Sequence, residues 1–216
     1  MEIRPPELPD ALVDTPDGEG AICAALAAGE DCEGLLLRQQ TLALESGKPT
    51  RLELRGCRLE GCTLMAAPGL LLDFVDVELV RCDLSNLNLY KGSLLRVRLR
   101  DCKLLGASFA EASLQHVAME SCLLRYMNFT GSRLQRVALT SCDLNHGALE
   151  NCKLKDFTLT DCDLTAVECS FTSLKGVDLR SCVLSGLAAG AGDLRGAIIG
   201  VEQAVDLVRL LGVEVR

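Results

Sequence analysis

The chain is poor in aromatic residues. Its 216 residues include no tryptophan, two tyrosines and five phenylalanines, so base-stacking platforms and aromatic ligand cages have almost nothing to be built from. Histidine is equally scarce, with His116 and His146 the only two. Positive charge is in deficit: 22 Lys and Arg stand against 30 Asp and Glu, a net charge of −8, which disfavours direct nucleic-acid binding through a basic surface. No apolar run reaches the length of a membrane-spanning helix, so no membrane span is expected. The first ten residues are proline-rich and acidic rather than a basic leader with an apolar core. Together these absences predict a soluble, cytoplasmic protein. At 49% hydrophobic and 24% charged, the chain has material for one domain with a sizeable core and lacks the low hydrophobicity of disorder.

Cysteine, by contrast, is abundant. Twelve cysteines in a chain of this length, without an export signal, point to reduced thiols rather than a disulfide scaffold. Their positions are regular: Cys62, Cys82, Cys102, Cys122, Cys142, Cys162 and Cys182 recur at a constant interval of twenty. An internal repeat of this kind governs the fold.

Inside each repeat lies a period of five. Every fifth residue from Leu54 to Ile199 gives 30 positions, 27 of them Leu, Phe, Met or Ile, the exceptions being Gly69, Cys169 and Ala189. The positions two residues earlier, Leu52 to Ala197, are small or apolar, and neither column contains Asp, Glu, Lys or Arg. Both columns therefore point inward, because apolar burial drives folding and an unpaired buried charge is costly. A straight helix cannot hold them there, since five residues advance the side-chain direction by roughly 500°. A flat strand also fails, because residues five apart would face opposite ways. A chain that turns a corner every five residues and closes a square after four sides satisfies both columns, and four sides of five make a coil of twenty.

Units such as Cys82-Asp83-Leu84-Ser85-Asn86, Cys142-Asp143-Leu144-Asn145-His146 and Cys162-Asp163-Leu164-Thr165-Ala166 resemble those of the pentapeptide-repeat family, and the resemblance runs over about 150 residues. It implies an all-β fold, a right-handed quadrilateral parallel β-helix with four pentapeptides to the coil. With coils about 4.8 Å apart, residues 52 to 201 would form a rod roughly 36 Å long. One side carries the cysteine ladder, and another carries Val77, Val97, Val117, Val137, Phe157 and Val177, so register is encoded twice.

Three regions follow: residues 1–50, an N-terminal cap with an irregular first coil; residues 51–200, the repeat; and residues 201–216, a capping and dimerisation segment. Open ends of a stacked sheet invite further pairing unless covered. A brief helix is expected over 19–28 and an irregular coil over 32–46. At the other end, Ala204, Val205, Leu207, Val208 and Leu211 recur at helical spacing before Gly212, predicting a short C-terminal helix cap followed by a strand at 213–215. The run Asp193-Leu194-Arg195-Gly196-Ala197, then Gln203-Ala204, then Leu210-Leu211-Gly212-Val213 is similar to the tail of Qnr and MfpA type quinolone-resistance proteins. That resemblance implies a homodimer through the tail, with Ala204, Leu207, Val208 and Leu211 as interface candidates. It also implies a rod that imitates duplex DNA and binds DNA gyrase or topoisomerase IV.

DNA mimicry requires rows of carboxylates. Residues 1–50 hold 10 acids and 3 bases, but residues 51–200 hold 17 of each. On the cysteine side, Asp83, Asp143 and Asp163, with Asp101 and Asp161 at the preceding corner, are candidate partner-surface residues, interrupted by Arg81, Arg100 and Lys103. Another side displays Arg133, Arg136, Lys153, Lys155, Lys175 and Arg195, a basic patch without an assigned role.

No enzyme is expected, because the two histidines occupy outward corners on different sides and cannot cooperate. No catalytic residue, metal or cofactor is assigned. A ladder of parallel thiols about 4.8 Å apart does not converge as zinc ligands must, and is too widely spaced for inter-coil disulfides. The functional expectation is a non-enzymatic interaction rod, with a type II topoisomerase as the named partner. The alternatives are a structural scaffold for another protein and a thiol-based redox or metal-handling protein, which thiol titration would separate.

Overall fold

A computed structural model describes residues 2–45 and 50–211. It is a right-handed parallel β-helix of about seven regular turns, extended by less regular coils at the N-terminal end. The chain begins with residues 2–9 lying against the side of the rod, followed by β1 (Val13–Asp14) and α1 (Gly18–Ala28). The helix is bounded as its sequence dictates: the Asp17 carboxylate accepts from Gly20 N–H at 2.9 Å, and Gly29 ends it in the left-handed conformation.

Strands β2 (Cys32–Glu33), β3 (Leu35–Arg38) and β4 (Thr41–Leu44) form the first full coil, followed by β5 (Thr50–Arg55), β6 (Arg58–Glu60) and β7 (Thr63–Ala66). Here the register is irregular: Leu37 pairs with Leu59 and Leu42 with Leu64, an offset two longer than the repeat. From β8 (Leu70–Val80) onward the offset settles at the repeat length, as Thr50 pairs with Leu70 and Leu59 with Leu79. The two extra residues fall between β4 and β5.

Strands β9 (Ser93–Arg100), β10 (Ser113–Glu120), β11 (Arg133–Thr140) and β12 (Lys153–Thr160) continue the stack. Each bends around a corner midway and so supplies two walls, with Val97, Val117 and Val137 directly above one another. The other two walls are joined by single bridges, for example Asp83–Lys103–Leu123–Asp143–Asp163–Val183. The corners are made by residues with positive φ recurring every five positions, including Asp76, Arg81, Asn86 and Lys91. Polar and charged residues accept this strained region because each turn lets the following central Leu point inward. From Leu54 to Leu187 the interior is a continuous column of Leu, Val, Cys, Phe and Met. Phe109 and Phe129 stack at 4.8 Å within it.

Both ends are closed by side chains that satisfy open backbone groups. At the N-terminal end, Glu19 accepts from Ala43 N–H at 2.9 Å, and Gln40 bonds both Gly18 N–H and Thr15 C=O at 2.7 Å. Ile22 is fully buried over Leu37, Leu42 and Leu44. At the C-terminal end, α2 (Val201–Val208) and a 3₁₀ turn (Arg209–Leu211) lie on the last coil. Gln203 Nε2 donates to Leu179 O at 2.7 Å and to Cys182 O at 2.6 Å. Residues 213–215, expected as a strand, and Gly212 lie outside the described residues.

Candidate interaction surfaces

The seven ladder thiols are stacked in one wall, each 1–6% exposed. They do more than fill space. Cys82 Sγ donates to Leu59 O at 3.4 Å, Cys142 Sγ to Met119 O at 3.4 Å and Cys162 Sγ to Leu139 O at 3.4 Å, so the thiol of one coil reaches a carbonyl of the coil before. Each sulfur thereby adds a weak bond across the coil boundary that alanine could not make. All twelve cysteines are free, and Cys32, outside the regular coils, is buried, while Cys23 is half-buried. Burial pushes the Cys57 and Cys152 thiols up and Cys169 up to about 12, keeping these sulfurs protonated and unreactive. Among the described residues, no group of three or more His, Cys, Asp and Glu is placed to hold a metal.

Outside the ladder, the three aspartates of the cysteine face serve their own turns. Asp83 Oδ1 accepts from Ser85 N–H, Asp143 from Asn145 and Asp163 from Thr165, at 2.9–3.1 Å. These bonds to residues two further on form the corner. For Asp83 the Ser85 hydroxyl is the main influence holding the carboxyl below its usual range; for Asp163 burial opposes the shift, but bonds from Thr165 and Asn145 prevail. Asp101 and Asp161 are exposed at the corner. They form no continuous row: Lys103 and Leu123 separate Asp83 from Asp143, and Arg125 approaches Asp143 at 3.8 Å.

Between the aspartates, beside Lys103 and Arg125, the face also exposes apolar side chains. Leu105, Leu123 and Tyr126 are 37%, 42% and 59% exposed. Tyr126 stacks on His146 with ring centroids 5.3 Å apart, and Arg125 lies over its ring at 6.0 Å. Tyr and Arg beside exposed Leu is the composition of an interface centre. Leu123, Arg125 and Tyr126 fall in one pentapeptide that departs from the consensus, and Leu105 joins them from the coil before, a neighbour twenty residues from Arg125 that the linear sequence does not show.

His116 is not the surface residue that its corner position suggested. It is 5% exposed, because residues 2–9 cover that corner. Arg4 N–H donates to His116 Nδ1 at 3.1 Å, Glu7 N–H donates to Asp76 Oδ1 at 2.9 Å, and Arg136 Nη1 lies 3.3 Å from His116 Nε2. Asp76 also holds Arg96 through two bonds of 2.5 Å. Pro9 packs over Gly56, where an added Cβ would come within 3.0 Å of the ring. Burial lowers the His116 pKa, and Arg136, Arg4 and Arg96 lower it further.

Ala204, Leu207 and Val208 are half-buried and, with Leu194, Ala197 and Ile199, line a hollow of about 370 Å³ between α2 and the last coil. Leu207 packs against its own chain's core because the Gln203 clamp turns that side of the helix inward. The Leu211 side chain lies outside the described residues. Among the described residues of this end, Val201, Val205 and Ile198 are 91%, 47% and 44% exposed.

This is the construction of a repeat solenoid, with an apolar interior and patterned walls. The chain belongs to the pentapeptide-repeat family: the model for the pentapeptide repeat region matches residues 72–147, and that for pentapeptide repeats in eight copies matches residues 148–180. No curated protein matches the chain. Among solved structures, a pentapeptide-repeat protein of the Arabidopsis thaliana thylakoid lumen is 28% identical over 39% of this chain, with a TM-score of 0.38, and the match spans 59% of that protein. QnrB1, a plasmid-mediated fluoroquinolone resistance protein, is 18% identical in a trypsin-treated form, covering 84% of this chain and 98% of its own, with a TM-score of 0.37. HetL, involved in heterocyst differentiation regulation in the cyanobacterium Nostoc, is 18% identical over 83% of this chain and 96% of its own, with a TM-score of 0.26. No helix among the described residues is long and apolar enough to cross a membrane.

Proposed function

We propose that the protein is a non-enzymatic, cytoplasmic docking rod, homodimeric through its C-terminal helix, whose cysteine face engages a protein partner. The exposed cluster of Leu105, Leu123, Arg125 and Tyr126 carries this reading. A flat wall on a rigid solenoid presents such a cluster without the ordering cost that a loop would incur.

The named partner is a type II topoisomerase, DNA gyrase or topoisomerase IV. It is supported by the tail resemblance through Gln203-Ala204 and by Asp83, Asp143 and Asp163 flanking the apolar cluster. In a supercoiling assay with purified gyrase, with and without a quinolone, micromolar protein is expected to alter the product distribution. The L123D/Y126A variant is expected to lose that effect. Absence of both effect and binding would remove the topoisomerase. A second reading, a scaffold for a different protein, is favoured by charge: 17 acids balance 17 bases over residues 51–200, so the coils lack the field of a phosphate backbone.

A further inference from the structure

The corner covered by residues 2–9 continues beyond them. Gly56, Asp76, Arg96, His116 and Arg136 are followed on the same edge by Asp156 and Gly176, each one coil further along. The covering segment shows how this edge holds a peptide. Glu7 and Arg4, three residues apart, donate their N–H groups to Asp76 and His116, two coils apart. Three extended residues span about 10 Å and two coils about 9.6 Å, so an extended chain running along the rod meets every second corner in register. Next to the first of these bonds, the Glu7 side chain lies 3.9 Å from Arg96.

Asp156 repeats the elements of that subsite. It is an exposed corner carboxylate with an arginine of the adjacent coil, Arg136, at 3.8 Å. The surroundings differ in being open and more basic. Two hollows, of about 480 and 250 Å³, share Phe157 and Gly176 as lining. A Cβ added at Gly176 would meet nothing within 4 Å. Lys153, Lys155, Lys175 and Arg195 are exposed, and none has a carboxylate oxygen of the described residues within 4.0 Å.

We propose that this open part of the edge, from Asp156 to Gly176, docks an extended acidic peptide of a partner protein. The peptide continues the line of residues 2–9, with a backbone N–H on the Asp156 carboxylate and glutamate or aspartate side chains toward Lys155 and Lys175. Charge complementarity selects the acidic sequence, and the corner spacing selects the extended backbone. This site is separate from the cysteine face and does not depend on the partner named for it.

The test uses the full chain and a fluorescein-labelled decapeptide alternating glutamate and proline, followed by fluorescence anisotropy. Saturable binding is expected, weakening as salt is raised. The K155E/K175E variant is expected to bind about tenfold more weakly, while R81E/K103E on the cysteine face binds as the parent does. Circular dichroism should show both variants folded, since all four side chains are exposed. No binding, equal binding by K155E/K175E, or equal binding of a lysine–proline decapeptide would overturn the proposal. So would a short DNA duplex that binds more tightly through the same lysines, which would make the edge a nucleic-acid surface.

Discussion

The two ends of the rod solve the same problem to different extents. Each must close an open sheet edge, and each does so with side chains that bond backbone groups: Glu19 and Gln40 at one end, Gln203 at the other. Their helices differ in what they bury. The N-terminal α1 drives Ile22 fully into the core and is capped at both termini. The C-terminal α2 buries no residue fully and leaves Val201 and Val205 in solvent. A hydrogen-bonding clamp is enough to end the ladder, but only apolar coverage completes a core. Among the described residues the first end is covered by its helix, whereas α2 leaves apolar side chains exposed, the surface that the proposed dimer would use.

The largest effect is expected at Ile22. Ile22→Asp removes a fully buried side chain and places a carboxylate over Leu37 and Leu42. A loss of about 3–5 kcal/mol is expected, read as a thermal midpoint lower by roughly 10 °C. An unchanged midpoint would mean that α1 is not part of the cooperative core.

A smaller effect is expected from acid, because the N-terminal end also covers the side of the rod. The His116 pKa is depressed in the folded state, so the neutral form favours the covered corner. That stability is complete above the ordinary value of 6.5 and is lost as pH falls below it through the depressed folded value. Protonation removes the acceptor for Arg4 N–H and adds a charge among Arg4, Arg96 and Arg136, with Glu2 the nearby carboxylate that offsets it. The protection factor of the Arg4 amide, its exchange rate taken against the intrinsic rate at each pH, should fall between pH 7 and pH 5, and His116→Phe should abolish that fall. A protection factor that does not change with pH would place the anchor elsewhere.

The smallest effect on stability is expected at α2. V201D/V205D changes two exposed side chains, so the midpoint should move by less than about 0.5 kcal/mol equivalent, while light scattering reports a monomer in place of a dimer. A dimer that persists would move the interface away from this helix.

The repeat was legible because burial imposes an arithmetic on the chain. A column of apolar residues every five positions, with a cysteine at every fourth such step, fits one winding, and the stacked valines and thiols fix its register. The surfaces were less legible. Asp83, Asp143 and Asp163 are conspicuous in sequence as acids, yet each carboxylate is already engaged in its own corner. Leu123 and Tyr126 share one pentapeptide, but Leu105 joins them only when coils stack.

Thus local composition was enough for the number of residues per turn, the walls and the inward columns, since these follow from which side chains avoid water. The covering of His116 by Arg4 and of Asp76 by Glu7 joins residues 112 and 69 positions apart. The Gln203 clamp reaches carbonyls 24 and 21 residues back. Such contacts carry no period, because they arise from where a non-repeating segment finds unsatisfied donors, acceptors and charges on a surface that exists only once the coils have formed.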